Sequence, residues 1–111
     1  MMVMELAKVK RDEVARVCAA LGHSLRLEAM TFLISQPHGG AYVSDLVSHL
    51  SRAQSTVSHH LKILVEAGIL AMESRGNWGW YQVVPTKLAD LREYLLMFGL
   101  EAPHNAAGAL I

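Results

Sequence analysis

Ser55, Ser58, His59 and Lys62 recur at i, i+3, i+4 and i+7, so a helix over this segment carries them as one outward stripe. Hydroxyl and imidazole groups close to the backbone, with an ammonium at the far end, suit a helix laid in the major groove of DNA. There, short polar side chains reach base edges and a Lys holds a phosphate. Gln54, just ahead of the stripe, is long enough for a bidentate contact to adenine. The N-terminus of such a helix also favours phosphate. A polar stripe by itself is most often a solvated face. Two features argue for more. Ser and Thr are mediocre helix formers, so Ser55, Thr56 and Ser58 crowded into about one turn do not serve helix stability. The cluster also begins directly after a tight connection at Ser51–Ala53. Ser51-Arg52-Ala53-Gln54 has the spacing of a capping box, which would commit Gln54 in part to structure. Ser55 capping a shorter helix is the alternative.

The elements that must position this stripe follow from apolar spacing and breakers. A first helix is expected from near Met4 to Leu21, with Val14, Val17, Cys18 and Leu21 on one face. Gly22 ends it. His23 or Ser24 caps a second helix with Leu27, Met30 and Ile34 inward. Gln36-Pro37-His38-Gly39-Gly40 is a break. A short third helix puts Val43, Leu46, Val47 and Leu50 on one face, and a fourth runs to Ala67 with Val57, Leu61 and Leu64 buried. Gly68 supplies the left-handed residue a helix end wants. Two β runs follow, Ile69–Ser74 and Trp80–Val84, around a tip Arg75-Gly76-Asn77-Trp78-Gly79. A last helix, Thr86–Phe98, carries Leu88, Leu91, Leu95 and Phe98. The expected fold is mainly α (α+β), a winged helix-turn-helix of order α-α-α-α-β-β-α. Residues 1–100 form one domain, and the Ala-, Pro-, Asn- and Gly-rich stretch 101–111 reads as a disordered tail.

Bulk properties neither help nor oppose that reading. The chain has 111 residues, enough for one domain, and 52% hydrophobic residues, enough for a core. Ten basic and ten acidic residues cancel, which is bland for a nucleic-acid binder, so the argument rests on pattern rather than charge. A single cysteine, Cys18, excludes an internal disulfide and a multi-thiolate metal site within one subunit, and fits a reducing compartment. No run approaches the length of a membrane span, and Met1–Lys10 lacks a signal-peptide layout. A cytoplasmic protein without membrane contact is expected.

Several segments together resemble the ArsR/SmtB family of bacterial winged-helix repressors. They are Ala20-Leu21-Gly22-His23-Ser24-Leu25-Arg26-Leu27, Val43-Ser44-Asp45-Leu46, the run from Ser55-Thr56-Val57-Ser58-His59-His60-Leu61-Lys62 through Glu66-Ala67-Gly68-Ile69-Leu70, and Trp80-Tyr81. The resemblance spans roughly Ala20 to Phe98, and its specific part is Thr-Val-Ser-His-His-Leu-Lys running into Glu-Ala-Gly. It implies a homodimer built from the first and last helices, binding an operator with imperfect two-fold symmetry, and repression relieved by a ligand that is often a metal ion. Val14, Val17, Cys18, Leu91, Leu95 and Phe98 are the candidate interface, since Leu95-Leu96-Met97-Phe98 is apolar nearly all round. Two-fold pairing would set the reading helices about one DNA turn apart, roughly 34 Å. The chain departs from the family at Ala53, where Ser often opens the recognition helix, and at Ser55, where Pro is common. In the wing, the usual basic residue after the Gly is Asn77, with Arg75 before it; both are candidate DNA contacts. Of the bulky wing residues, Trp80 or Tyr81 should turn inward and Trp78 should lie nearer the tip.

The family's sensor positions carry no metal ligands here. The two Cys flanking a Val on the third helix are Tyr42 and Ser44, and the early positions of the last helix fall near Pro85 and Lys87. Glu101 matches a late ligand but has no partners. His23, His38, His49, His60 and His104 show no zinc-type spacing. Adjacent His59 and His60 point to different faces, leaving His60 to pack at the core edge or contact a backbone. No metal site and no cofactor are expected, and the inducer is unknown. Cys18 reads first as a small buried hydrophobe; an intersubunit disulfide or a reactive thiol is the sharper alternative. No nucleophile–base pair, Gly-rich phosphate loop or carboxylate cleft suggests an enzyme. The function read from the sequence is double-stranded DNA binding by a homodimeric transcriptional repressor. The alternatives are a winged-helix protein-interaction module, favoured by the neutral charge and aromatic wing, and a metal sensor with a non-standard site.

Overall fold

The computed structural model describes residues 2–99. The tail expected at 101–111, with Glu101 and His104, lies outside them. Five helices and three strands run in the order α1 (Met2–Leu21), α2 (Ser24–Ile34), β1 (Gly40–Tyr42), α3 (Val43–Leu50), α4 (Gln54–Glu66), β2 (Leu70–Arg75), β3 (Trp78–Val83) and α5 (Pro85–Leu96). Helix, helix, tight turn, helix and hairpin make a winged helix-turn-helix.

One element is missing from the sequence-based order. Gly40–Tyr42 forms a strand that pairs antiparallel with β3, giving a sheet ordered β1-β3-β2. Three residues are too short to display a period of two, so apolar spacing alone does not reveal it. Gly40 is required there for close approach: a Cβ at this position would stand 2.5 Å from Trp80 Cζ2. Tyr42 ends the strand and starts α3, its N–H donating to the Asp45 carboxylate at 3.3 Å. β1 therefore ties the hairpin rigidly to the helix-turn-helix.

The core lies where α1 to α4 meet. Leu33, Leu46, Leu61, Leu64, Ile69, Val17 and Val57 are fully buried, and among the described residues no polar side chain is. The inward faces of α3 and α4 are those the sequence predicts, Leu46 and Leu50 with Val57, Leu61 and Leu64. α2 differs. Its buried residues are Leu25, Ala29, Met30 and Leu33, whereas Leu27 and Ile34, expected inward, are exposed. Apolar residues cover most of the circumference of this helix, leaving only the side of Ser24, Glu28 and Thr31 polar, so spacing does not select which part faces inward. His23 caps it, its Nδ1 accepting from the Leu25 N–H at 3.1 Å.

α5 lies across α1. Lys10 Nζ meets Asp90 Oδ1 at 2.9 Å and Lys87 Nζ meets Glu13 Oε1 at 2.8 Å. Exposed pairs of this kind contribute little energy, yet they fix the register of the two helices. The Lys87 stem also covers Gly68, whose φ of +83° closes α4 as the sequence predicts. Val14 and Val17, expected at a dimer interface, are turned into the protomer; Val17 retains 1% exposure. They serve the internal core because α1 packs there against α2 and α4. Cys18, a quarter-turn further round, is exposed rather than buried.

Candidate nucleic-acid interface

The presentation of α4 is decided at the turn before it. Ser51 takes the left-handed conformation, φ 55° and ψ 46°, and its N–H donates to Val47 O at 3.0 Å. A non-Gly residue seldom adopts this conformation. Ser51 is thus spent ending α3, and the expected capping box with Gln54 does not form. Ser55 does not cap either: Ala53 is the N-cap, with no side-chain hydrogen bond, and Ser55 lies inside the first turn. Among the described residues no side chain caps the opening N–H groups of α4, which leaves them to meet an outside acceptor such as a phosphate.

The outward stripe is assembled as its spacing predicts. Gln54, Ser55, Thr56, His59 and Lys62 are exposed and Ser58 is half-buried, above a face of buried Val57, Leu61 and Leu64. Ser58, Lys62 and Val65 look across a shallow groove at Met72 and Tyr81 of the hairpin. Reading helix and hairpin thus share one surface. Burial of Tyr81 against the core raises its phenol pKa, so it stays a neutral donor.

His60 belongs to the scaffold rather than to the stripe. It is half-buried, with its ring 4.6 Å from that of His23 and 3.0 Å from Arg26 Nη1 through Nδ1. Arg26 also donates from Nε to Ala20 O at 2.5 Å, at the end of α1. One guanidinium therefore joins α1, α2 and α4, a role that no local sequence signal announces. Two further histidines have structural partners: His23 caps α2, and His49 stacks on Phe32 at 4.4 Å. Among the described residues, no three His, Cys, Asp or Glu side chains are grouped to hold a metal ion.

The hairpin is tighter than its sequence suggests. Pairing continues to Arg75↔Trp78, leaving only Gly76 and Asn77 as the turn. Gly76 makes this possible with φ +66°, in open space. Directly opposed residues share a sheet face, so Tyr42, Trp80, Glu73, Arg75 and Trp78 lie together on the outer face. Tyr81 alternates to the inner one. Trp80 is half-buried over Gly40, and Trp78 is 59% exposed. Asn77 is exposed in the turn, within the tip read from the sequence. Arg75 is exposed but engaged: its guanidinium lies 4.0 Å above the Trp80 ring, with Nη2 3.3 Å from Glu73.

Of the remaining interface candidates, Leu91 is half-buried against the core, Leu95 is exposed, and Phe98 is 66% exposed beyond the end of α5. Leu96 and Met97 are exposed beside them. Among the described residues, no single helix is long and apolar enough to cross a membrane.

Comparison with known proteins agrees with this geometry. A sequence model of the arsR family of bacterial regulatory proteins matches residues 23–71, from the cap of α2 to the start of β2. An uncharacterized helix-turn-helix-type transcriptional regulator of Methanocaldococcus jannaschii is 30% identical over 82 residues, 74% of this chain and 90% of the relative. The arsenical resistance operon repressor of Staphylococcus aureus is 32% identical over 83 residues, 75% of this chain and 77% of that protein. A homodimeric winged helix-turn-helix DNA-binding domain from Mycobacterium bovis superposes with a TM-score of 0.66 at 22% identity. The superposition covers 89% of this chain and 92% of that one, and it shows the shared fold.

Proposed function

The chain belongs to the arsR family of bacterial regulatory proteins and is a DNA-binding transcriptional regulator; from that premise we propose that it is a homodimeric repressor whose α4 reads its operator. The observation that carries the reading is the polar stripe Ser55, Ser58, His59 and Lys62 standing outward on a helix whose opposite face is locked in the core. Side chains held on a rigid helix reach base edges without the cost of ordering their backbone, and the uncapped N-terminus adds backbone donors for a phosphate. Gln54 and Thr56 flank the stripe, and Asn77 extends it at the hairpin tip.

The dimer follows from surface left over. Leu95, Leu96, Met97 and Phe98 form an exposed apolar cluster that a monomer leaves in water. Pairing two such clusters removes them from solvent and sets two reading helices for one operator. The contacts thus move from the buried Val14 and Val17 to the end of α5. The relative from Staphylococcus aureus is a repressor, which supports repression here. The protein acts by binding, in the cytoplasm, and catalyses no reaction in this account.

The test is a mobility-shift titration of the purified chain on duplexes covering the DNA upstream of its own coding sequence. A shift on one fragment, weakening as salt rises, is expected. Absence of any shift at low salt would remove the reading.

A further inference from the structure

We propose that the hairpin enters the DNA minor groove beside each half-site with the Trp78 indole as its main contact, an apolar one, rather than with a basic residue. This rests on the DNA-binding reading above.

Charge comes first. The hairpin from Leu70 to Val83 contains one cation, Arg75, and one anion, Glu73. The two are 3.3 Å apart, and the Arg75 guanidinium is laid on the Trp80 ring at 4.0 Å to the centroid. The Glu73 carboxylate beside it offsets this cation's charge, and the ring under it fixes where the guanidinium lies. The hairpin therefore offers DNA almost no net charge.

What it offers instead is a ring. Trp78 is 59% exposed, directly after the two-residue turn. It shares the outer face with Trp80 and Tyr42, but those two rings pack edge to face at 4.9 Å and are half-buried. Trp78 is left outermost. With Trp80 and Tyr42 on the same face it belongs to a contiguous aromatic patch rather than standing alone, and contiguous apolar patches mark interaction sites. The turn itself projects into open space, with nothing packed within 4 Å of where a Gly76 Cβ would be.

Position selects the occupant. The hairpin borders the same groove as Ser58 and Lys62 of α4 through Met72 and Tyr81 of its inner face, while Trp78 stands by the turn on the other face, beside Tyr42 and Ser44 at the start of α3. A duplex seated on α4 and running past this side brings its flanking minor groove to the tip. The walls of that groove are deoxyribose carbons, and architectural proteins enter it with apolar side chains. The rigid join of β1 to both β3 and α3 fixes Trp78 relative to α4.

The two tryptophans of the chain both lie in this hairpin, which makes a direct test available. Trp80→Phe leaves Trp78 as the sole indole; circular dichroism first confirms the fold. Its emission is followed as a duplex shifted by the wild type is added, and accessibility to acrylamide is measured with and without DNA. Quenched emission and loss of acrylamide access are expected. In the wild-type background, Trp78→Ala should weaken binding roughly tenfold to a hundredfold, the scale of losing one large buried apolar contact. The slope of affinity against salt should stay unchanged, and Trp78→Phe should recover part of the loss. Duplex binding with unaltered Trp78 emission and access, or full affinity in Trp78→Ala, overturns the proposal while leaving α4 as the reader. Failure of every duplex to bind the wild type overturns both.

Discussion

Arg26 of α2 places its Nη1 3.0 Å from Nδ1 of His60 on α4. A guanidinium has no acceptor, so Nδ1 must accept and the His60 proton must sit on Nε2. The contact exists only while the ring is neutral. It holds the helix that bears the stripe against the helices behind it.

Stability should therefore fall on acidification through His60. Burial, then the nearby His23, Arg26 and His59, push its pKa below the ordinary value. Unfolded, the ring titrates near about 6.5. Above that pH both states are neutral and the contribution is complete. As the pH drops from there toward the depressed folded value, only the unfolded chain gains the proton, and stability declines. Urea denaturation of wild type and His60→Gln at several pH values should show a smaller loss in the variant. Equal losses would mean that His60 is not the group responsible.

Gly40→Ala should destabilise the sheet by about 1–3 kcal/mol, the usual cost of forcing atoms into a filled space. The new Cβ would lie 2.6 Å from Gln82 Oε1 as well as 2.5 Å from the Trp80 ring, so both side chains must move. A lowered denaturation midpoint with an altered near-ultraviolet tryptophan signal is expected. An unchanged signal would show that Trp80 does not lie over Gly40.

Much of this was legible in the sequence, for physical reasons that also explain the gaps. α3 and α4 are strongly two-faced, so Leu46, Leu50, Val57, Leu61 and Leu64 betray the core and leave the stripe as the remainder. α2 is apolar over most of its circumference and hides its orientation; Leu27 and Ile34 show the error. A three-residue strand has no period to read. Ser51 in a left-handed turn is unexpected because Gly or Asn is the usual signal there. Arg26 and His60 are 34 positions apart, and the bond between them depends on packing that no local pattern encodes.

Lys62→Ala should lower the salt dependence of DNA binding. If its ammonium neutralises one phosphate per subunit, the slope of log affinity against log salt should shrink by about one for each subunit. Mobility shifts over a salt series measure this directly. An unaltered slope would place Lys62 away from the backbone.

Phe98→Asp combined with Leu95→Asp should convert the dimer to monomer, because it puts charge into the apolar cluster on both sides of a two-fold contact. Sedimentation equilibrium should show the shift with the helix content retained. A dimer that survives both changes would move the interface elsewhere, for instance to the exposed Leu27 and Ile34 of α2.

The claim on which everything else depends is that α4 reads DNA through its outward stripe. The most direct measurement is the duplex affinity of Ser58→Ala with His59→Ala, alongside the dimer mass and thermal midpoint of the same protein. Each lost base contact should cost about 1–3 kcal/mol. The double variant should bind the operator far more weakly, discriminate less against other sequences, and remain a folded dimer. Full affinity and unchanged discrimination in a folded dimer would contradict the account.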